Sequence, residues 1–100
     1  MTRKLECHFS EAAENDLEEI ADYIASDNPR RALSFVQEIR ERCQNLTDFP
    51  EAAPLREVLG PGIRIVPFGR YVIFYTLHSD ALKVERILAA ARFITYEYFD

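Results

Sequence analysis

The stretch SEAAENDLEEIADYIASDNPRRALSFVQEIRERCQNL, residues 10–46, decides the fold. Ser10 is suited to cap a helix, and Glu11 sits where negative charge favours the positive helix end. Ala13, Leu17, Ile20, Ala21 and Ile24 then recur at helical spacing, which lines them along one face. The opposite face carries Glu11, Glu14, Asp16, Glu18, Glu19 and Asp22, and reads as solvated. "SDNPRRA" breaks the pattern and restarts it. Asn28 fits an N-cap, and Pro29 takes the first helical position, where its missing N–H costs nothing. Ala32, Val36, Ile39, Cys43 and Leu46 follow at steps of four, three, four and three, with Leu33 and Phe35 predicted to widen that face. So short a link between two amphipathic helices predicts an antiparallel hairpin whose stripes cover a sheet or one another.

On the N-terminal side, "KLECHF" alternates, with Leu5, Cys7 and Phe9 on one face and Lys4, Glu6 and His8 on the other. That is the pattern of a strand with one face on a core. On the C-terminal side the second helix is predicted to stop near Phe49-Pro50. An irregular segment comes next, with a short helical turn around Leu55–Leu59 and a firm turn at Gly60-Pro61-Gly62. "IRIVP", the β-branched and aromatic "YVIFYT", and "LKVERILA" are three successive strands, predicted to form an antiparallel meander with "YVIFYT" central. The fold class is therefore α+β, in the order β-α-α-β-β-β, with the helices on one sheet face and residues 1–100 as one domain. Periodicity leaves the tail "RFITYEYFD" open between a continued strand and a folded-back turn.

One hundred residues with 48% hydrophobic content suit one globular domain with a modest core. No stretch approaches the roughly 20 apolar residues a membrane-crossing helix needs. "MTRKLECHFSEAAEND" has no apolar segment after its basic residues, which argues against a signal peptide. Cys7 and Cys43 both fall at apolar positions, so buried free thiols in a reducing cytoplasm are expected.

The net charge is −5, which argues against a protein that simply coats nucleic acid. Residues 1–50 hold eleven acidic and six basic side chains, whereas residues 51–100 hold six of each. Five of the six basic residues in that second half are arginine, whose rigid fork suits carboxylate or phosphate recognition.

Few motifs point to chemistry. His8 and His78 are the only histidines, and no HExxH or paired-cysteine motif accompanies them, so no metal site is expected. "LGPGIRIVPFGR" is neither a P-loop nor a dinucleotide fingerprint, and no cofactor is expected. His78-Ser79-Asp80 reads as a turn, since neighbours in sequence rarely converge as a nucleophile relay. Arg64, Arg70, Tyr71, Tyr75, Arg86 and Arg92 gather on the predicted strands and their end. Arginine supplies cations for a phosphate, but neither it nor tyrosine, with a reference pKa near 10, is a ready base at neutral pH. Phosphate or partner recognition and purely structural arginines both remain open on composition.

The order and spacing of "FSEAAENDLEEIADYIASDNPRRALSFVQEI", "NLTDFPEAAP", "GPGIRIVPFGRYVIFY" and "VERILAAAR" resemble the ParE side of the RelE/ParE superfamily of bacterial type II toxin–antitoxin systems. The resemblance spans nearly the whole chain and implies a small α+β toxin domain. It implies a cognate ParD-like antitoxin as partner, within larger complexes that bind operator DNA through the antitoxin and serve plasmid stabilisation.

ParE-like members poison DNA gyrase by stabilising cleaved DNA, whereas RelE-like members cleave messenger RNA on the ribosome. The long acidic helix, Asn28-Pro29, and Arg64 followed by "VPFGRYVIFY" match the first group, so gyrase is the expected target and no catalytic residue is assigned. A ribosome-dependent endoribonuclease, for which Tyr96 and Tyr98 speak, and a non-toxic antitoxin-binding module are the alternatives. Arg64, Arg70, Tyr71, Arg86 and Arg92 are the expected target-recognition residues. Where ParE-like chains carry His-Gly-Ala-Arg-Asp after the last strand, this sequence has Ala89, Ala90, Ala91, Arg92 and Phe93, keeping only the alanine and the arginine of that pattern.

Overall fold

The computed structural model describes residues 5–91. Strand β1 (Glu6–Phe9) leads into helix α1 (Glu11–Ala25), and α2 (Pro29–Asn45) comes next with a 3-10 turn at Leu46–Asp48. A second 3-10 turn at Glu57–Leu59 precedes β2 (Arg64–Phe68), β3 (Tyr71–Leu77) and β4 (Ala81–Ala89). The predicted β-α-α-β-β-β order holds, as does the meander: β2–β3 and β3–β4 are antiparallel. The sheet order is β1-β4-β3-β2, so β1 joins parallel to β4 and β3 is an interior strand.

Both helix starts agree with the sequence. Ser10 Oγ accepts the N–H of Ala13, and Asn28 Oδ1 accepts that of Arg31, each satisfying an otherwise unpaired helix donor. The stripes then meet the sheet: Ala13, Leu17 and Ile20 of α1 and Phe35, Ile39 and Cys43 of α2 pack with Val66, Ile73, Tyr75, Leu82, Val84 and Ile87. Arg40 ties the layers at the margin, pairing with Glu14 across the hairpin at 2.7 Å while its guanidinium stacks 5.0 Å from the Phe9 ring.

Two expectations about the helices fail. Leu33 does not widen the buried face of α2; it is 73% exposed. One residue beyond Ala32 the helix has turned about 100°, which carries Leu33 outside an arc centred on Ala32, Val36, Ile39 and Cys43. On α1, Asp16 is not part of the solvated face. It is 7% exposed, because it lies one turn from both Ala13 and Ile20 and so flanks the buried stripe.

The segment after α2 is held from the sheet. Tyr75, fully buried, donates its hydroxyl to the Pro50 carbonyl at 2.7 Å. Residues 54–56 then run along β2, with Leu55 bridged to Arg64 and Arg56 N–H donated to the Ile63 carbonyl. That cover reduces the exposed backbone of β2, which would otherwise be an open sheet edge.

Candidate functional site

One end of the molecule collects the β2–β3 hairpin, the end of β4 and the last turns of α1. Phe68 pairs with Tyr71, leaving Gly69-Arg70 as a two-residue turn. Gly69 has φ +58° and Arg70 does not share a positive φ, as a tight turn matched to the twist of its strands requires. Tyr71 pairs with Ala89, and Ala90 N–H donates to the Arg70 carbonyl at 2.8 Å, so β4 finishes beside the hairpin.

Between these elements lies an open concavity of about 580 Å³, lined by Tyr23, Arg70, Tyr71, Ala89, Ala90 and Ala91. Its alanines leave room, its two tyrosines give flat apolar walls, and Arg70 gives one exposed cation at the rim. Among the described residues the Arg70 guanidinium makes no hydrogen bond or ion pair. Tyr23 is 76% exposed, unusual for so large a ring. Tyr71 is fixed from below by Phe35, whose ring is 5.6 Å away and tilted by 53°, and Phe35 also packs on Phe68 at 5.7 Å. Burial pushes the Tyr71 hydroxyl above its ordinary range, with Tyr23 adding to that and Arg70 opposing it.

The other expected recognition residues have different settings. Arg86 on β4 is clamped by Asp16: Nε donates to Oδ2 at 2.7 Å and Nη2 to Oδ1 at 2.9 Å. This two-point contact, with the Asp16 hydrogen bond as its largest cause, raises the Arg86 pKa further. Arg64 on β2 directs Nη1 to the carbonyls of Glu51 and Ala53, at 3.1 and 2.7 Å, and so holds the loop after α2. Arg92 and the tail beyond it lie outside the described residues. The fold therefore brings Arg70 and Tyr71 together, sets Arg86 at the neighbouring edge of β4, and places Arg64 on β2.

Asp16 is the residue sequence reading missed. Besides Arg86, its Oδ2 accepts the backbone N–H of Ile87 at 2.9 Å. A carboxylate spaced one turn from two stripe residues was the available signal.

The histidines stand apart from this end. His8 is exposed on the outermost strand β1, and His78 lies just past the far end of β3, roughly 20 Å from Tyr71 at strand rise. Among the described residues, no group of three or more His, Cys, Asp or Glu is placed to hold a metal ion. No helix among them is long and apolar enough to cross a membrane. Both cysteines are free; burial pushes the Cys7 thiol up and the Cys43 thiol to about 12.

Known proteins agree with this architecture. No curated protein matches the sequence. The solved chromosomal ParDE toxin–antitoxin system from P. aeruginosa contains a chain 22% identical over 88% of this chain and 98% of its own length, with a TM-score of 0.75. A chain of the RelB–RelE antitoxin–toxin complex from Methanococcus jannaschii is 21% identical, with 93% and 99% covered and a TM-score of 0.54. At such identities the two structures establish the fold. The family described as the ParE toxin of the type II toxin–antitoxin system, parDE, matches residues 8–92, nearly the whole chain. The chain belongs to the ParE toxin family and is the toxin component of a type II toxin–antitoxin system.

Proposed function

We propose that this toxin binds DNA gyrase and holds it in the state with cleaved DNA, and that a cognate ParD-like antitoxin neutralises it. The observation that carries this reading is the concavity where exposed Arg70 stands over Tyr23, Tyr71 and Ala89–Ala91. An apolar floor with the Arg70 cation at its rim is suited to docking a partner protein, with the tyrosines as rigid anchors. Proton transfer at neutral pH is poorly served there, since Tyr71 is pushed further from neutrality and arginine stays charged. A poison of this kind needs no bond chemistry of its own; it needs higher affinity for one state of its target.

Arg70 and Tyr71 are the residues proposed to meet the target. Arg86, held by Asp16, flanks them, and Arg64 contributes by holding the loop after α2. Arg92 is kept with them as a proposed recognition residue on the sequence resemblance. In the larger assembly the antitoxin, not this acidic chain, would contact operator DNA.

The test is to mix antitoxin-free toxin with bacterial gyrase and supercoiled plasmid, then release trapped breaks with detergent and protease. Linear plasmid that rises with toxin and requires gyrase supports the reading. Intact plasmid, from toxin that still arrests growth and yields broken messenger RNA at ribosomal positions, replaces it with the endoribonuclease reading.

A further inference from the structure

The outer edge of β4 changes partner along its length. From Ala81 to Val84 it pairs with β1, ending at Phe9 opposite Val84. There the chain leaves the sheet to start α1, while β4 runs on for five more residues. The register against β3 also shifts at this point, with Phe74 opposite Arg86 and Tyr75 opposite Val84, so Glu85 is an extra residue in β4. Bulges of this kind bend a strand and re-aim the side chains beyond them.

Side chains of α1 and of its N-cap take over where β1 stops. Ser10 Oγ donates to the Glu85 carbonyl at 2.8 Å. Asp16 Oδ2 then accepts the Ile87 N–H, and both carboxylate oxygens engage the Arg86 guanidinium. Asp16 and Ile87 line a smaller recess of about 150 Å³, which shares Tyr23, Tyr71 and Ala89 with the Arg70 concavity. The buried carboxylate therefore fixes both the backbone of β4 at Ile87 and the Arg86 guanidinium beside it.

We infer that Asp16 is a positioning residue for target recognition, acting through Arg86 and the end of β4 to set the shape of the Tyr23–Tyr71–Ala89 surface. This rests on the proposed docking of a target at that surface. The separation of duties comes from the geometry. Asp16 is nearly buried, with both oxygens engaged by Arg86 and Ile87, whereas the Arg86 side chain remains partly exposed. A carboxylate is needed because one oxygen must serve a backbone N–H and a guanidinium while the other completes the two-point contact. The carboxamide of asparagine offers one acceptor oxygen and turns an N–H₂ toward the guanidinium.

The experiment compares wild type, Asp16→Asn, Arg86→Lys and the double variant in the gyrase cleavage titration, with the folded fraction of each measured by circular dichroism at the assay temperature. Arg86→Lys keeps the charge but cannot span both oxygens. Ile39→Ala, a core change away from the recess, serves as the control for lost stability alone. After correction for folded fraction, Asp16→Asn is expected to raise the half-maximal toxin concentration roughly tenfold or more. Arg86→Lys is expected to shift it in the same direction, the double variant to be no worse than additive, and Ile39→Ala to titrate as wild type.

Wild-type titration by folded Asp16→Asn overturns the inference. So does an equal loss in Ile39→Ala, which would make the effect one of stability. If Asp16→Asn does not fold, wild-type titration by Arg86→Lys overturns it instead. If wild type itself gives no linear plasmid, the gyrase reading fails, and growth arrest on induction becomes the readout. Asp16→Asn must then lose arrest at equal folded protein, or the inference falls too.

Discussion

Ser10 joins Glu85 across the domain, its Oγ donating to the Glu85 carbonyl at 2.8 Å while accepting the Ala13 N–H at 3.0 Å. One hydroxyl thus starts α1 and closes the β4 edge at the bulge. Ser10→Ala removes the cap and leaves a part-buried carbonyl without its donor, for a combined loss of about 2 kcal/mol. Asn28→Ala removes only an exposed cap and is expected to cost about 1 kcal/mol. Urea unfolding of the two variants checks the ordering; a cost at Ser10 no larger than at Asn28 would contradict it.

Arg64 and Arg70 should separate stability from recognition. Arg64 donates to two loop carbonyls, so Arg64→Ala is expected to lower stability by about 1–2 kcal/mol. Arg70 is exposed on a turn, so Arg70→Ala should lie within about 0.5 kcal/mol of wild type while weakening target binding. Thermal melts beside gyrase binding at matched folded concentration distinguish the two.

Gly69 gives the hairpin its shape, and with it the placement of Arg70. A Cβ there would meet Phe35 Cε1 at 4.0 Å, an ordinary contact, so space is not the obstacle. The φ of +58° is. Gly69→Ala is expected to cost at least about 1 kcal/mol and to reduce toxicity by displacing Arg70. Denaturant titration and growth arrest on induction measure the two effects.

Cys43 sets a pH dependence on the alkaline side. Its thiol has no exposed surface and is pushed from 9.0 to about 12, chiefly by desolvation. Above pH 9 the unfolded chain releases this proton while the folded chain keeps it, so stability falls as pH rises toward 12. One such group contributes a slope of about 1.4 kcal/mol per pH unit. Tyr75, also raised by burial, acts in the same direction above its ordinary value of 10.0. Cys43→Ala should flatten the slope between pH 9 and 10 even though it lowers stability at pH 7. Native Cys43 should also resist maleimide labelling until the chain unfolds.

The elements that were legible in the sequence are those with local causes. Ser10, Asn28 and Pro29 mark helix starts by their own hydrogen-bonding and ring geometry, and the stripes of α1 and α2 repeat at the period of the structure that buries them. The features that were not legible depend on contacts between distant residues. Asp16 reads as one acid among many until β4 brings Arg86 and Ile87 to it, 70 and 71 residues later. Arg64 and Arg70 look equivalent in sequence, yet one lies beside the loop carbonyls of Glu51 and Ala53 and the other on an open turn. The parallel pairing of β1 with β4 likewise comes from the hairpin's crossing of the sheet, which no strand pattern encodes.

The most direct measurement is the yield of gyrase-linked linear plasmid as folded toxin is titrated, for wild type beside Arg70→Ala. The expected result is a saturating, gyrase-dependent rise for wild type, and a curve displaced to higher concentration for Arg70→Ala with its melting temperature unchanged. Plasmid that stays supercoiled at every concentration of a wild-type toxin able to arrest growth would contradict gyrase poisoning, and identical curves would remove Arg70 from the recognition surface.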